Sequence, residues 1–145
     1  MRVLIQRVKE ASVTVNDQIV GQITTGLTAF VGFCRSDTQA LLKPMAQKIS
    51  TLRVFPGEKG EFDRSVIDIS GGVLLISQFT LYGDVKKGRR PDWCEAMPQE
   101  QANELYQQFI NEMKTLPLSI AEGVFRAEMQ VRLQNDGPVT LMVEL

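Results

Sequence analysis

Two short motifs, far apart in the chain, carry the residue types best suited to hold a ligand. Ser77–Leu81 (SQFTL) ends a long apolar run, and Asn135–Thr140 (NDGPVT) lies just before the C-terminus. Each places small or hydrogen-bonding residues beside a predicted buried strand, where backbone groups can approach a ligand closely. Such positions support the binding of a polar or anionic group by main-chain donors.

The first motif offers two kinds of catalytic group. Alternation along an extended strand puts Ser77 and Phe79 on one face and Gln78 and Thr80 on the other. If the strand ends at a pocket, the N–H groups beyond its last ladder bond are free to hold an oxyanion. The Thr80 hydroxyl is a second candidate, as a nucleophile, but it needs an activating base. The structural alternative, which the pattern alone favours, is that these polar side chains satisfy one another inside the sheet.

The second motif admits a structural and a functional interpretation. As a turn, Asn135–Pro138 joins two closing strands, and the residue types alone favour this interpretation. As a binding element, Gly137 lets a carbonyl approach a ligand and Pro138 fixes its direction. A Gly-Pro bond can be cis or trans, and the sequence leaves the isomer open. Phe125 and Met129 either line an apolar wall near this segment or pack in the core.

A basic run lies between the two motifs, and its cations are Lys86, Lys87, Arg89 and Arg90. Because the net charge is −1, any RNA binding must use such a local patch rather than the field of the whole protein. Trp93 and Tyr82 flank the run and either stack on a base or cover the core. A merely solvated loop is an equally good interpretation of the run.

The composition limits the available chemistry. The chain has 145 residues and no histidine, which excludes every Ser-His, Cys-His and His-metal mechanism. Cys34 and Cys94 fit neither a metal cluster nor a disulfide framework. We therefore expect no metal and no other cofactor, and catalysis by backbone donors, hydroxyls, carboxylates, lysines or the substrate itself. Since the N-terminus lacks a signal peptide and no run has transmembrane length, we expect a cytoplasmic protein without a membrane partner.

The elements that must position these motifs follow from hydrophobic spacing. Residues 1–34 predict strands, and Val73–Leu81 predicts the central strand of the sheet. Helices are expected over 37–52, with a kink or a late start at Pro44, and over 98–116. The remaining expectations are a loop or hairpin at 56–65, an irregular segment at 82–98, and short strands near 119–121, 129–133 and 139–143. This order predicts one compact α/β domain, 1–145, of sheet layers covered by two main helices.

Taken together, the motifs give the chain a resemblance to the D-aminoacyl-tRNA deacylases. Ser77–Leu81 matches that family's SQFTL motif, and Asn135–Thr140 matches its NxGPVT motif. Gln6–Val8, Lys87–Pro91 and Met129–Val131 match as well, so the likeness covers essentially the whole chain. The resemblance implies a compact, barrel-like α/β fold. It also implies hydrolysis of the ester that links a D-amino acid, or mischarged glycine, to tRNA.

The resemblance implies partners and a basis for selectivity. Members act on aminoacylated tRNA as homodimers, in which the Gly137-Pro138 peptide is cis and enters the pocket of the other subunit. The carbonyls of Gly137 and Pro138 then accept hydrogen bonds from the α-ammonium of the substrate, and an L side chain clashes with this rigid segment. No DNA partner is expected.

The resemblance also assigns residue roles. Backbone N–H groups of Phe79 and Thr80 form an oxyanion hole braced by Ser77 and Gln78, and the ribose 2′-OH assists the attack. The substrate-binding residues are Gly137, Pro138, Met129, Phe125 and Arg7, of which Arg7 holds the incoming Gly-Pro segment, and the tRNA-binding residues are Lys86, Lys87, Arg89 and Arg90. Two positions depart from the family pattern: the stretch Gly60–Asp63, and Arg126, where a small residue is usual.

Two other functions stay open beside ester hydrolysis. A non-catalytic tRNA- or RNA-binding module would use the same basic run and would tolerate changes at Gly137 and Pro138. A small-molecule esterase or amidase is the third, and the absence of a histidine-containing triad argues against it.

Overall fold

The chain folds around one strongly curved sheet, and the computed structural model describes residues 1–145. The strands and α-helices are β1 (Arg2–Val15), β2 (Gln18–Ile23), β3 (Gly26–Gly32), α1 (Leu42–Thr51), β4 (Phe55–Gly57), β5 (Gly60–Arg64), β6 (Gly72–Ser77), α2 (Gln99–Lys114), β7 (Ser119–Glu122) and β8 (Gln130–Glu144). Short 3₁₀ helices cover Gln39–Leu41 and Phe79–Tyr82. None of the helices combines the length and the apolar character that crossing a bilayer requires.

Strand β1 organises the sheet because it pairs along both of its edges. It is antiparallel to β2, β3 and β8. From β3 the sheet continues through β6 to β7 as parallel neighbours. Since β2 in turn lies against β7, the sheet is nearly closed. Together with α1 and α2 this confirms the predicted barrel-like α/β fold.

Strand β6, predicted as the central strand, is an interior strand that lies between β3 and the end strand β7 in the order β2-β1-β3-β6-β7. As its apolar run predicts, it is buried on both faces. Val73 and Leu75 pack in the larger core with α1 and α2, while Leu74 and Ile76 belong to a smaller core on the other face. This alternation follows the pleat of a strand. Its parallel partner β3 begins at Gly26, where a Cβ atom would lie 1.9 Å from the Gly72 carbonyl oxygen. A side chain at that position would prevent the two strands from pairing.

The two helices begin where proline allows. Pro44 is the third residue of α1, where its missing N–H leaves no intrahelical bond unmade, so the helix begins late, at Leu42. Helix α2 begins directly after Pro98. The buried side chains of α2, which keep helical spacing, are Tyr106, Phe109, Ile110 and Met113.

Two expectations about strands are wrong. Strand β6 ends at Ser77 and the chain turns into the 3₁₀ helix Phe79–Tyr82, so strand alternation does not describe Gln78–Thr80. Near the C-terminus, the segments predicted as two strands are parts of the single strand β8. Asn135–Pro138 is therefore not a turn between strands, because both of its flanks pair with β1.

Candidate active site

An apolar cavity of about 570 Å³ opens where β6 ends. This volume is in the range of small-molecule sites. Five residues assigned to the site from the sequence line it, namely Ser77, Gln78, Phe79, Phe125 and Met129. The structure thus brings the first motif and the Phe125–Met129 segment together around one opening.

The turn after β6 leaves two backbone donors without an acceptor in the helix that follows. The Gln78 N–H still donates to the Val31 carbonyl at 2.7 Å. The first bond of the 3₁₀ helix runs from the Leu81 N–H to the Gln78 carbonyl at 3.3 Å. Phe79 and Thr80 lie between these donors, and the first N–H groups of a helix have no intrahelical partner. The sequence predicts free N–H groups after the last hydrogen bond between β6 and its neighbours. In the structure, the first turn of the 3₁₀ helix supplies such groups at Phe79 and Thr80.

The Thr80 side chain does not line the cavity. It is exposed, and its Oγ1 accepts a hydrogen bond from Nε2 of Gln78. These two polar side chains therefore satisfy each other, as the structural alternative expects, but they do so at the surface. The hydrogen bonds of Thr80 include no titratable group that would activate its hydroxyl.

Two aromatic side chains form part of the rim of the cavity. Phe79 and Trp93 meet edge to face with ring centroids 5.2 Å apart, and they are 56% and 40% exposed. Aromatic surface left in water beside a cavity suits a planar ligand such as a base. Tyr82, by contrast, is buried beneath the Arg2 guanidinium, 4.5 Å from its ring centroid. Of the two flanking aromatics, Tyr82 covers the core and Trp93 lies at the rim.

Phe125, which lines the cavity, packs against Tyr106, a buried residue of α2. The rings of Phe125 and Tyr106 lie 5.8 Å apart. Tyr106 is 1% exposed, and burial, assisted by the nearby Glu122 carboxylate, raises the pKa of its phenol well above the ordinary value. Tyr106 is therefore neutral at physiological pH and acts as a packing support for the wall.

The second motif lies in a bulge of β8. Gln6 pairs with Thr140 and Val8 pairs with Asn135, so the four β8 residues 136–139 stand opposite Arg7 alone. The peptide bond between Gly137 and Pro138, inside this bulge, is cis. Both residues are exposed, and neither lines the cavity of its own chain.

Arg7 holds the bulge in place. Its guanidinium donates to the carbonyl oxygens of Asp136 at 3.0 Å, Gly137 at 3.1 Å and Val54 at 2.6 Å. The Asp136 carboxylate lies 3.1 Å from Nε of Arg7, and Nδ2 of Asn135 donates to the Arg7 carbonyl at 3.0 Å. Side chains thus replace the ladder bonds that the bulge interrupts. The resemblance assigned Arg7 to a segment arriving from another subunit, whereas here Arg7 holds the segment of its own chain.

The basic run forms the tip of a closed loop. Asp84 and Asp92 close this loop with two backbone hydrogen bonds of 2.8 and 2.9 Å, and Gly88 turns its tip with a φ of +74°. All four cations of the run, Lys86, Lys87, Arg89 and Arg90, are exposed and form no ion pair. They are free to meet an anionic partner, although none of them lines the main cavity.

Other groups that the sequence singled out lie elsewhere. The departing stretch Gly60–Asp63 belongs to the hairpin strand β5 and contributes nothing to the cavity lining. The free cysteines Cys34 and Cys94 do not line it either. No group of three or more cysteine, aspartate or glutamate side chains is placed to hold a metal ion. Arg126, the other departure from the family pattern, does line the cavity.

Comparison with known proteins yields one family. The family model described as D-Tyr-tRNA(Tyr) deacylase matches residues 4–144. The chain belongs to the D-Tyr-tRNA(Tyr) deacylase family. The D-aminoacyl-tRNA deacylase of Desulfitobacterium hafniense (strain DSM 10664 / DCB-2) is 50% identical over 144 residues, which cover 99% of this chain and 97% of that protein. The D-aminoacyl-tRNA deacylase of Rhodopirellula baltica is 47% identical over 145 residues, the whole of both chains.

Two solved structures share the fold of this chain. A structure named c-Myc DNA Unwinding Element Binding Protein superposes with a TM-score of 0.94 at 42% identity, over 100% of this chain and 99% of that chain. A probable eukaryotic D-amino acid tRNA deacylase superposes with a TM-score of 0.87 over 99% of this chain and 98% of that one. At 17% identity the second bears on the fold alone. The resemblance seen in the two sequence motifs is thus confirmed for the deacylase family.

Proposed function

We propose that this chain is a D-aminoacyl-tRNA deacylase, which hydrolyses the ester between a D-amino acid and the terminal adenosine of tRNA. The observation that carries the proposal is the pair of N–H groups of Phe79 and Thr80, unpaired in their helix, on the turn whose residue Phe79 lines the apolar cavity. The chain lacks histidine, so these donors stand in for a side-chain mechanism. Relatives about 50% identical that carry this name support the proposal.

The proposed reaction needs stabilisation of one developing charge. Water attacks the ester carbonyl carbon, the carbonyl oxygen gains negative charge, and the bond to the ribose oxygen breaks to give free amino acid and tRNA. The N–H groups of Phe79 and Thr80 hold the oxyanion, Ser77 and Gln78 brace the turn, and the ribose 2′-OH assists the attack. Removing one donor from such a site typically slows the reaction by about 100- to 1,000-fold.

Selection against L-amino acids falls, in this proposal, to the bulge of a second subunit. Gly137 and Pro138 are exposed and absent from the cavity of their own chain, so they act on a substrate only when another copy supplies that cavity. The Gly137 carbonyl accepts one bond from Arg7 and keeps a second lone pair for the substrate ammonium. The bulge excludes an L side chain, whereas a D side chain points outward and glycine has none to exclude. We therefore propose a homodimer.

Recognition of the tRNA is assigned to the surface around the cavity. Phe79, Phe125 and Met129 form the wall against which the terminal adenosine packs. The exposed, unpaired cations Lys86, Lys87, Arg89 and Arg90 meet the phosphates of the acceptor end. Their charges neutralise phosphates without reading sequence, so affinity falls steeply with salt.

The experiment that tests the proposal compares deacylation of D-Tyr-tRNA and L-Tyr-tRNA by the wild type, Thr80→Ala and Gly137→Ala. The wild type is expected to cleave only the D ester, and Thr80→Ala to stay within about 3-fold of it, because the hydroxyl lies outside the cavity. Loss of activity in Thr80→Ala would instead restore the threonine nucleophile.

Gly137→Ala separates the proposed cross-subunit role from folding. A Cβ atom at Gly137 meets no atom within 4 Å in its own chain, and its φ is not in the left-handed region. The variant should therefore unfold like the wild type yet lose D-Tyr-tRNA cleavage by more than about 10-fold, since the added methyl enters the neighbouring cavity. Wild-type activity in this variant, or a monomeric wild type by sedimentation, would contradict the cross-subunit role.

A non-catalytic RNA-binding module is the second candidate, and the four exposed cations without ion pairs favour it. It is supported if the wild type binds tRNA but cleaves neither ester. A single-stranded DNA competitor belongs in the same assay, because one solved structure at 42% identity is named for binding a DNA element.

A further inference from the structure

Arg126 is the only charged residue in the lining of the main cavity. It lies between β7 and β8, is exposed, and forms no ion pair. Its φ of +66° is in the left-handed region, which is unfavourable for a residue with a Cβ atom. The other non-glycine residues with positive φ are the small polar ones Asn16, Asp17 and Ser70. Arg126 is thus a long cationic side chain at a position whose backbone suits glycine.

Arg126 stands where two depressions of the surface meet. The first is the apolar cavity of the candidate site. The second, of about 630 Å³, is more open and mostly polar, and its lining residues besides Arg126 are Pro98, Gln99, Glu100, Gln101, Asn103 and Phe125. Glu100 is the one carboxylate there, and it forms no ion pair with Arg126. Arg126 therefore lies at the boundary between the apolar cavity and the polar depression beside it.

We propose that Arg126 binds the phosphate attached to the 5′ carbon of the terminal adenosine while the aminoacyl end occupies the apolar cavity. This inference rests on the proposed deacylase function. The phosphate must lie at the mouth of the cavity, because an unpaired charge is not stable in apolar surroundings. A guanidinium suits it, since its planar donors match phosphate oxygens in pairs. Every aminoacyl-tRNA carries this phosphate, so the contact increases affinity for all substrates without selecting the amino acid.

A binding cycle with two non-hydrolysable probes tests the contact directly. The probes are 3′-(D-tyrosylamino)-3′-deoxyadenosine with and without a 5′-phosphate, measured by calorimetry. The wild type is expected to bind the phosphorylated probe about 5- to 10-fold more tightly, as one exposed charge-assisted contact gives. Arg126→Gln should lose this difference and bind the unphosphorylated probe like the wild type, while Arg126→Lys keeps part of it. The matched control, Lys48→Gln, removes an exposed cation that lies outside both depressions and should leave the difference intact.

Kinetics with intact substrate provide the second measurement. Arg126→Gln is expected to raise KM for D-Tyr-tRNA about 5- to 10-fold with kcat within about 2-fold. The slope of log KM against log salt concentration should fall by about the amount that one phosphate contact contributes. The proposal is overturned if the wild type does not distinguish the two probes, or if Arg126→Gln weakens the binding of both probes equally. Each of these results leaves the deacylase function standing as long as the wild type cleaves D-Tyr-tRNA. A wild type that neither cleaves this ester nor binds either probe overturns both proposals.

Discussion

Replacing Arg7 by alanine is expected to lower the free energy of unfolding by about 3 to 5 kcal/mol, because three hydrogen bonds from a charged donor are lost and each contributes roughly 1.5 to 3 kcal/mol at most. The guanidinium is nearly fully buried and donates to the carbonyls of Val54, Asp136 and Gly137, which lose their donor together. The bond to Val54 is buried and those to Asp136 and Gly137 are partly buried. A buried carbonyl left unpaired costs about 1 to 3 kcal/mol, a partly buried one costs less, and the three losses are not additive because they share one side chain. Deacylation should disappear with the ordered bulge.

Two matched variants separate the partners of Arg7. The Asp136 side chain is 35% exposed against 7% for Arg7, so water screens this ion pair and Asp136→Asn should cost less than about 1 kcal/mol. Arg7→Lys keeps the charge but cannot reach three carbonyls in a fork, and an intermediate loss of about 2 kcal/mol is expected.

Urea unfolding followed by circular dichroism at one protein concentration gives the free energies of all three variants. For a chain of this size the loss in Arg7→Ala corresponds to a melting temperature lower by roughly 10 to 15 °C. Deacylation of D-Tyr-tRNA is then measured at a temperature where every variant is folded. If Arg7→Ala costs no more than Asp136→Asn, the reasoning is refuted, because the carboxylate and not the backbone carbonyls would then be the important partner.

Three further predictions concern stability. Burial raises the pKa of Tyr106 above its ordinary 10.0, so above pH 10 the unfolded chain releases a proton that the folded chain keeps. Above pH 10 this residue should lower the free energy of unfolding by about 1.4 kcal/mol per pH unit. Urea titrations of the wild type and Tyr106→Phe at several pH values measure this contribution as the difference between their slopes. Arg126→Gly should raise the free energy of unfolding by about 1 kcal/mol by relieving the left-handed backbone, and an equal gain in Arg126→Ala would refute this cause. Gly26→Ala should cost more than about 3 kcal/mol because its Cβ meets the Gly72 carbonyl, and a near-native urea midpoint would contradict this packing.

Elements with a strong hydrophobic period could be predicted from the sequence. Strand β6 and helix α2 form because they bury their own apolar side chains. The spacing of those side chains is visible in the sequence, so both elements can be predicted from it. The hydrophobic pattern alone leaves Phe125 and Met129 between a cavity wall and the core, and it favours mutual satisfaction of the polar side chains of the first motif. The assignment of Ser77–Phe79, Phe125 and Met129 to one site depends on the family resemblance, and all of them line the cavity.

The bulge was mistaken for a turn because its residue types are those of a turn. Asn, Asp, Gly and Pro favour a chain reversal locally, and nothing in the segment itself reveals that Asn135 and Thr140 both pair with β1, more than a hundred residues away. The resemblance assigns Arg7 to the Gly-Pro segment of another subunit, whereas Arg7 donates to the carbonyls of Asp136 and Gly137 in its own chain, a contact that depends on the long-range pairing of β1 with β8. The 3₁₀ helix after Ser77 was missed because Phe79 and Leu81 continue the apolar pattern of a strand.

The bulge of β8 also has a consequence for how the gene can change. Because pairing with β1 resumes on both sides of residues 136–139, an insertion or deletion in a paired flank, outside the bulge, shifts the register of that flank. A shift of one position would turn the buried Val143 outward and bring its exposed neighbour Met142 into the core. A change of length in either flank is therefore expected to cost more stability than an exchange of the exposed residues Gly137 and Pro138. In the proposed deacylase, residues within the bulge can thus be exchanged while the sheet around them keeps its register.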